Sequence, residues 1–279
     1  MFWSRILGVD LGTANIKAVL IAGRRVHTAK APAPPAGPGD RAGLTAALSA
    51  AVAQLKGGAG RAVTALSGDQ VVVRFIKLPL MTGKELRSGL QYEAERYLPV
   101  NLQEYVLDWV VLRKLPDRQM LVMLAAAPRE LAYSYYELFQ AAGLTLLSLD
   151  VAPLALLRSL APGREENAIL LDVGAGSTQI VVAPGGCPEF SRLVTLGLNS
   201  RSGPDDLALL VQEVRRSLEF YRSQTGNNVD FRRLILAGGG AYLPGIKEYL
   251  QEELGFEVDV GPSRVPPEFA LAYGLALRR

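Results

Sequence analysis

The chain has 279 residues, 49% of them hydrophobic, and its 30 Lys and Arg residues nearly balance its 27 Asp and Glu residues. A formal net charge of +3, without a basic stripe interleaved with aromatic residues, gives no reason to expect a nucleic-acid partner. One cysteine, Cys187, excludes an internal disulfide, and one histidine, His27, leaves almost no material for Ser-His-Asp or histidine-metal chemistry. The length is enough for a large core and about two domains.

The first strong pattern is a strand, a glycine turn and a second strand over residues 6–22, with 25–28 as a third strand. Apolar residues lead into Asp10 before the turn, and the chain is apolar again after it. The turn consists of Gly12, Thr13, Ala14 and Asn15. A turn with little side-chain bulk lets backbone N–H groups approach a phosphate, and Lys17 would place a positive charge beside it. Asp10 is placed to hold a metal ion through water.

Residues 30–40 are rich in proline and glycine and predict a loop, interpreted as a long connection rather than a flexible lid. Apolar residues at helical spacing predict a helix over 43–55 that Gly57 and Gly58 terminate. Residues 61–66 and 70–78 read as strands that complete a first lobe.

A separate α+β segment is predicted over residues 79–148. Thr82 and Glu85 form a capping box, which opens a helix that ends before Pro99. Two paired strands, 106–112 and 120–126, and a helix over 129–142 follow.

The second half of the chain repeats the glycine pattern. Residues 169–182 again read as a strand, an Asp-bearing turn and a returning strand, and residues 234–245 carry a third glycine run after an apolar strand. The residues of interest are Asp172, Gly174, Gly176, Ser177 and Thr178 in the second pattern and Gly238, Gly239, Gly240 and Ala241 in the third. Two Asp-bearing turns and a glycine loop between strand and helix form a specific combination.

The three patterns resemble motifs of the actin-like ATPase superfamily. In chain order they are DLGT with Lys17 for the phosphate-one motif, DVGAGST for the phosphate-two motif and AGGGAYLPG for the adenosine motif. That superfamily includes actin, heat-shock chaperone ATPases, sugar kinases and FtsA. The resemblance implies a two-lobed, RNase H-like α/β fold. It also implies that the three motifs form a nucleotide site for ATP, with Asp10 and Asp172 at the Mg²⁺ ion.

A narrower resemblance is to the PilM family of type IV pilus assembly proteins. It is carried by LPLMTGKEL at 78–86, EAERYLP at 93–99, AGL at 142–144 with Asp150, and EVRRSL at 213–218, and it extends over nearly the whole chain. It implies an inserted FtsA-like or PilM-like subdomain. It also implies a groove beside that subdomain for the cytoplasmic N-terminal peptide of PilN, an inner-membrane protein.

Two departures from the superfamily concern the nucleotide. Active relatives place Gln or Glu before a proline to orient the attacking water, but here Ala152 precedes Pro153. The Ala-Glu-x-x-Lys helix that clamps adenosine is missing, because the chain passes almost directly from Leu198 to a helix that starts at Pro204. The sequence therefore predicts weakened ATP and Mg²⁺ binding, little or no hydrolysis and no catalytic residue. Asp150 is interpreted as the N-cap of a helix over 150–160.

The resulting organisation has three parts. The first lobe consists of residues 1–78 and is completed by 149–163 and a C-terminal helix in 268–279. The inserted subdomain consists of residues 79–148. Residues 164–267 form the second lobe, with a reduced clamp at about 199–232. No window reaches the roughly 18 apolar residues of a spanning helix, so we expect a cytoplasmic protein held at the inner membrane by its partner rather than by direct insertion.

Two alternative functions stay open at this point. One is an ATP-hydrolysing enzyme of the same superfamily, such as a kinase or a chaperone-type ATPase. The other is a sister scaffold, either the GspL cytoplasmic region of type II secretion or a competence-pilus homologue. The TGKEL and EAERYLP runs favour the pilus adaptor, because the superfamily fold does not require them.

Overall fold

The computed structural model describes residues 5–35, 37–55, 60–98, 100–161, 163, 165–226 and 229–278, with the backbone alone at 38 and 91–93. The helix stops predicted at Gly57, Gly58 and Pro99 lie outside these residues. The chain forms two compact units: a smaller one, Leu66–Tyr135, and a larger one made of Met1–Ala65 and Tyr136–Arg279.

The strands and helices up to residue 141 follow the predicted order, whereas the strand over Thr145–Val151 was not predicted. The strands are β1 (Leu7–Leu11), β2 (Asn15–Ala22), β3 (Arg25–Pro32), β4 (Arg61–Leu66), β5 (Val72–Pro79), β6 (Tyr105–Leu115), β7 (Gln119–Pro128), β8 (Thr145–Val151), β9 (Ala168–Val173), β10 (Thr178–Ala183), β11 (Phe190–Val194), β12 (Arg233–Ala237) and β13 (Glu257–Val260). The helices are α1 (Arg41–Ala53), α2 (Gly83–Tyr97), α3 (Arg129–Ala141), α4 (Ala152–Leu160), α5 (Pro204–Thr225), α6 (Ile246–Leu254) and α7 (Ala270–Ala276). Among the described residues, none of the helices combines the length and the hydropathy needed to cross a membrane.

The larger unit contains two five-stranded sheets with the same strand arrangement. The first has the order β3-β2-β1-β4-β8, and the second has the order β11-β10-β9-β12-β13. In each sheet three consecutive strands pair antiparallel, and the first of them also pairs with a parallel strand from later in the chain. This repeated mixed topology is the predicted α/β fold with two RNase H-like sheets.

Helices α4 and α7 pack against both sheets. Leu156 of α4 and Ala270 of α7 lie in an apolar cluster with β9, β10 and β12, while Ala155 and Leu275 of the same helices pack with residues of β4. The two helices cross so closely that a Cβ atom at Gly274 would lie 1.8 Å from the Ala155 carbonyl oxygen. On the other face of the second sheet, α5 and α6 bury their apolar stripes.

The smaller unit is a three-stranded sheet of order β5-β7-β6 with α2 packed on one face. Thr82 and Glu85 form the predicted capping box at the start of α2, and Leu86, Leu90 and Ala94 are buried. β5 belongs to this sheet through its pairing with β7, whereas the sequence had assigned it to the first lobe. The unit therefore starts and ends earlier than the predicted segment 79–148.

The predicted N-cap at Asp150 is wrong. β8 continues through Asp150 to Val151, and α4 begins at Ala152 without a side-chain cap. The Asp150 side chain is only 4% exposed and is ion-paired with Arg158 and, at 3.4 Å, with Arg278. A buried carboxylate is stable there because two guanidinium groups compensate its charge.

Candidate functional site

Two hairpins of identical register carry the predicted Asp residues. In the first, Asp10 on β1 lies opposite Lys17 on β2; in the second, Asp172 on β9 lies opposite Gln179 on β10. In both hairpins the Asp is followed by one more paired residue and then by the glycine turn. The structure thus repeats one hairpin design in each lobe, with a different residue facing the carboxylate.

The first hairpin neutralises its own carboxylate. Lys17 Nζ lies 2.8 Å from Asp10 Oδ2, and each side chain is 14% exposed. Burial on its own would lower the pKa of Lys17, but the ion pair with Asp10, together with the charges of Asp172 and Glu268, outweighs it and holds the pKa above the usual value. The ammonium group is therefore charged at neutral pH, and it is engaged with Asp10 rather than free for a ligand.

The second hairpin supplies no cation to its carboxylate. The Gln179 amide donates instead to the Arg192 carbonyl, at 3.1 Å. Burial raises the pKa of Asp172 to about 6, Lys17 from the first hairpin opposes that rise, and the charge of Asp10 adds to it. Lys17 and Asp10 both act on the pKa of Asp172, so the carboxyl groups of the two hairpins lie near each other, and we call the place where they meet the cleft.

The turns of the two hairpins are in contact. A Cβ atom at Gly176 would lie 2.9 Å from the Thr13 hydroxyl oxygen. The third glycine run packs onto the end of β9: Gly238 has φ +85°, and a Cβ atom there would lie 2.3 Å from the Val173 carbonyl oxygen. Close packing alone therefore requires glycine at Gly238, whether or not a nucleotide binds.

The remaining predicted site residues are distributed around the cleft. Thr13 and Ala14 are exposed, whereas Gly12, Asn15, Gly174 and Ser177 are half-buried. Thr178 is fully buried, and its hydroxyl donates to the Leu196 carbonyl at 2.6 Å, which gives it a structural role. Gly238 is the N-cap of a short 3₁₀ helix that contains Gly239, Gly240 and Ala241.

Sequence reasoning missed one charged pair at this cleft. Lys30 Nζ lies 3.1 Å from Glu268 Oε1, and the Glu268 side chain is 15% exposed. The charge of Glu268 also helps to raise the pKa of Lys17. Lys30 lies near the end of β3, beside a proline-rich stretch, and Glu268 follows two prolines, so neither position carries a local signal of a site.

The charged groups at the cleft suit a phosphate with magnesium better than they suit adenosine. An ammonium group and the backbone N–H groups of glycine turns can donate to phosphate oxygens, and carboxylates can hold the magnesium ion. Among the described residues, no three His, Cys, Asp or Glu side chains are grouped to hold a metal ion by themselves. No helix lies in the fully described stretch between β11 and α5.

Two arginines of α5 are paired with carboxylates away from the cleft. Arg215 Nη2 lies 3.3 Å from Glu253 Oε2, and Arg216 Nη1 lies 2.8 Å from Glu213 Oε1. α5 itself packs its apolar stripe on the second sheet. The segment that the sequence identified as a reduced clamp is thus mainly part of the core of that lobe.

Comparison with protein families identifies one matching model, described as "Type IV pilus assembly protein PilM", over residues 37–199 and 207–279. A chain of a solved structure named "PilM-PilN type IV pilus biogenesis complex" is 31% identical, with a TM-score of 0.83. The match covers 98% of this chain and 97% of that chain.

More distant structures share the fold alone. The cytoplasmic domain of EpsL, an inner-membrane component of the type II secretion system of Vibrio cholerae, is 14% identical with a TM-score of 0.56, covering 98% of this chain and 95% of its own. A protein from Bacteroides thetaiotaomicron with an actin-like ATPase fold and unknown function is 12% identical with a TM-score of 0.54, covering 96% and 95%.

Proposed function

The chain belongs to the PilM family of type IV pilus assembly proteins, and we propose that it is a cytoplasmic adaptor of the pilus assembly platform. In this proposal it binds the cytoplasmic N-terminal peptide of a PilN-like inner-membrane protein. The observation that carries it is the likeness, over nearly the whole length, to a chain of a complex whose name pairs PilM with PilN. The type II secretion scaffold is disfavoured, because its likeness extends only to the fold.

The proposal places the protein at the inner membrane through its partner. A peptide at the start of an inner-membrane protein keeps whatever binds it close to the bilayer, so the adaptor needs no spanning segment of its own. Further proteins of the platform would reach the membrane complex through the same adaptor.

Within this function, we assign nucleotide a minor role. A phosphate at the hairpin turns would compete with Asp10 for Lys17, whose ammonium group is already paired at 2.8 Å. Adenosine contacts supply several of the roughly 8 kcal/mol of a micromolar complex, and the stretch before α5 builds no clamp for them. Ala152 carries only a methyl group where a water-orienting amide or carboxylate would act. ATP with Mg²⁺ therefore binds weakly, at Asp10 and Asp172, with little or no hydrolysis.

The partner is tested by titrating the labelled protein with a synthetic peptide of the first residues of the PilN-like protein from the same operon. We expect saturable amide shifts and a defined heat of binding. A scrambled peptide of the same composition is the control. Unchanged spectra with the native peptide, or equal binding of both peptides, would overturn the adaptor proposal.

The nucleotide assignment is tested separately by calorimetry with Mg-ATP and by assay of released phosphate. We expect an affinity weaker than micromolar and no release above background. Sub-micromolar affinity would contradict the assignment and leave the peptide result untouched.

A further inference from the structure

The larger unit contains a pocket of about 480 Å³ whose walls include none of the glycine turns. It lies between the end of α4, strands β12 and β13, the loop that follows β13, and α7. The volume is within the range of small-molecule sites, roughly 300–1,000 Å³. We call it the arginine pocket, after Arg158, Arg233 and Arg264, which line it.

Two of the three guanidinium groups that line the arginine pocket are ion-paired: Arg158 with Asp150, and Arg233 with Glu166 and Asp259. The three guanidinium groups face one lining carboxylate, that of Asp259. Asp259 Oδ2 accepts a hydrogen bond from Arg233 Nε at 2.7 Å, so its charge is already compensated. The positive charge that a ligand meets in the pocket is therefore that of Arg264, the lining guanidinium group without an ion pair among the described residues.

Hydrogen bonds hold two of the guanidinium groups in place, and each group keeps a terminal nitrogen that is available to a ligand. Arg158 uses Nε and Nη2 for hydrogen bonds to protein oxygen atoms, and Arg233 uses Nε and Nη1. One terminal nitrogen of each group is thus uncommitted within the described part of the chain. Fixed guanidinium groups lose little conformational entropy when they bind an anion.

The third guanidinium group has no charged partner. Arg264 Nη2 donates to the Arg24 carbonyl at 3.1 Å, and no carboxylate among the described residues forms an ion pair with it. Since the contact is to a neutral oxygen, the full positive charge of Arg264 remains available to a ligand.

An independent observation also indicates a ligand. Tyr273 lines the pocket and is only 4% exposed, yet its hydroxyl group has no hydrogen-bond partner among the described residues. That hydroxyl is not among the fully enclosed unpartnered side-chain atoms of the described residues, so solvent can reach it. Tyr273 is a lining residue of the pocket, so a polar ligand bound there can satisfy this nearly buried donor.

From these contacts we propose that the arginine pocket binds a small organic phosphate. A phosphate presents acceptor oxygens on several sides and forms strong charge-assisted hydrogen bonds with guanidinium groups and hydroxyls. The organic part would lie against the apolar side of the pocket, formed by Leu160, Ile235 and Leu277. The proposal is independent of the adaptor function and of the hairpin cleft.

Phenyl phosphate is a suitable first probe, because it combines one phosphate with a compact apolar group. In an amide-shift titration of the full chain, we expect saturable shifts centred on Gly261, Ser263 and Arg264. The Tyr273→Phe variant removes only the hydroxyl and should weaken binding about tenfold. Arg264→Ala should weaken it by at least the same factor.

The matched control is Arg216→Ala, because Arg216 is a surface arginine of α5 that pairs with Glu213 outside the pocket. Its affinity for phenyl phosphate should equal that of the wild type. The proposal is overturned if no shift saturates, if Tyr273→Phe and Arg264→Ala bind as tightly as the wild type, or if benzoate binds as tightly as phenyl phosphate. Equal urea midpoints of the wild type and Tyr273→Phe would show that the comparison concerns binding and not folding.

Discussion

The two Asp hairpins share strand order, register and turn design, but they differ in whether a cation of the same hairpin compensates the charge of the carboxylate. Asp10 has a lysine directly across the ladder and forms an ion pair at 2.8 Å. Asp172 has a glutamine across the ladder, and burial raises its pKa to about 6. A repeated backbone pattern therefore fixes where a carboxylate lies, while one cross-strand residue decides whether its charge stabilises the native state.

The same comparison bears on the nucleotide. A cleft built to receive a magnesium-bound phosphate gains from a free ammonium group and from ionised carboxylates. Here one carboxylate already occupies the ammonium group, and burial disfavours the ionised form of the other. Both differences agree with the proposal of weak nucleotide binding.

The largest expected effect comes from removing the glycine that lets the third loop cover the second hairpin. Gly238→Ala would require a positive φ of +85° and a Cβ atom 2.3 Å from the Val173 carbonyl oxygen. We expect the free energy of unfolding to fall by about 3 kcal/mol or more. Gly239→Ala is the neighbouring control, because nothing lies within 4 Å of its added Cβ. Similar urea midpoints for the two variants would contradict the close packing described here.

The ion pair of the first hairpin can be broken by Asp10→Asn. This change removes the paired countercharge of the Lys17 ammonium, which is only 14% exposed, so we expect a loss of about 2 kcal/mol in the free energy of unfolding. Asp230→Asn applies the same change to an exposed pair, with side chains 88% and 68% exposed, and should cost under about 0.5 kcal/mol. The comparison fails if the two variants lose equal stability.

Asp172→Asn should raise the free energy of unfolding at pH 7, whereas Asp10→Asn should lower it. The folded pKa of about 6 lies above the unfolded value of about 3.9, so the native state binds more protons between these values. Stability therefore falls as pH rises from about 4 to 6, and at pH 7 the ionised residue costs on the order of 3 kcal/mol. The variant should be more stable than the wild type at pH 7 and should lack this slope. Urea unfolding with EDTA, from pH 4 to 7, measures both; an unchanged slope would contradict the prediction.

The smallest effect is expected from introducing into the second hairpin a lysine at the position that Lys17 has in the first. Gln179→Lys places an ammonium group across from Asp172, as Lys17 stands across from Asp10, and should lower the Asp172 pKa from about 6. The gain in stability at pH 7 should be about 0.5 kcal/mol. Gln179→Met has a similar length without charge and should leave the pKa unchanged. A ¹³C titration of the Asp172 carboxyl group distinguishes the two variants.

Sequence alone determined the features that rest on neighbouring residues. Alternating apolar strands around glycine turns gave both hairpins, and the Thr82 capping box gave the start of α2. The motif order also indicated the actin-like fold and the PilM family, because the residues and the order of short motifs can be read directly from the sequence.

Only the tertiary structure decided which distant groups meet. It paired β5 with β7, placed Asp150 between two arginines instead of at a helix cap, and brought Glu268 to Lys30. It also set the charge of Asp172 through burial and through Lys17 of another lobe. These outcomes depend on desolvation and on contacts between residues far apart in the chain, and neither leaves a periodic or local mark in the sequence.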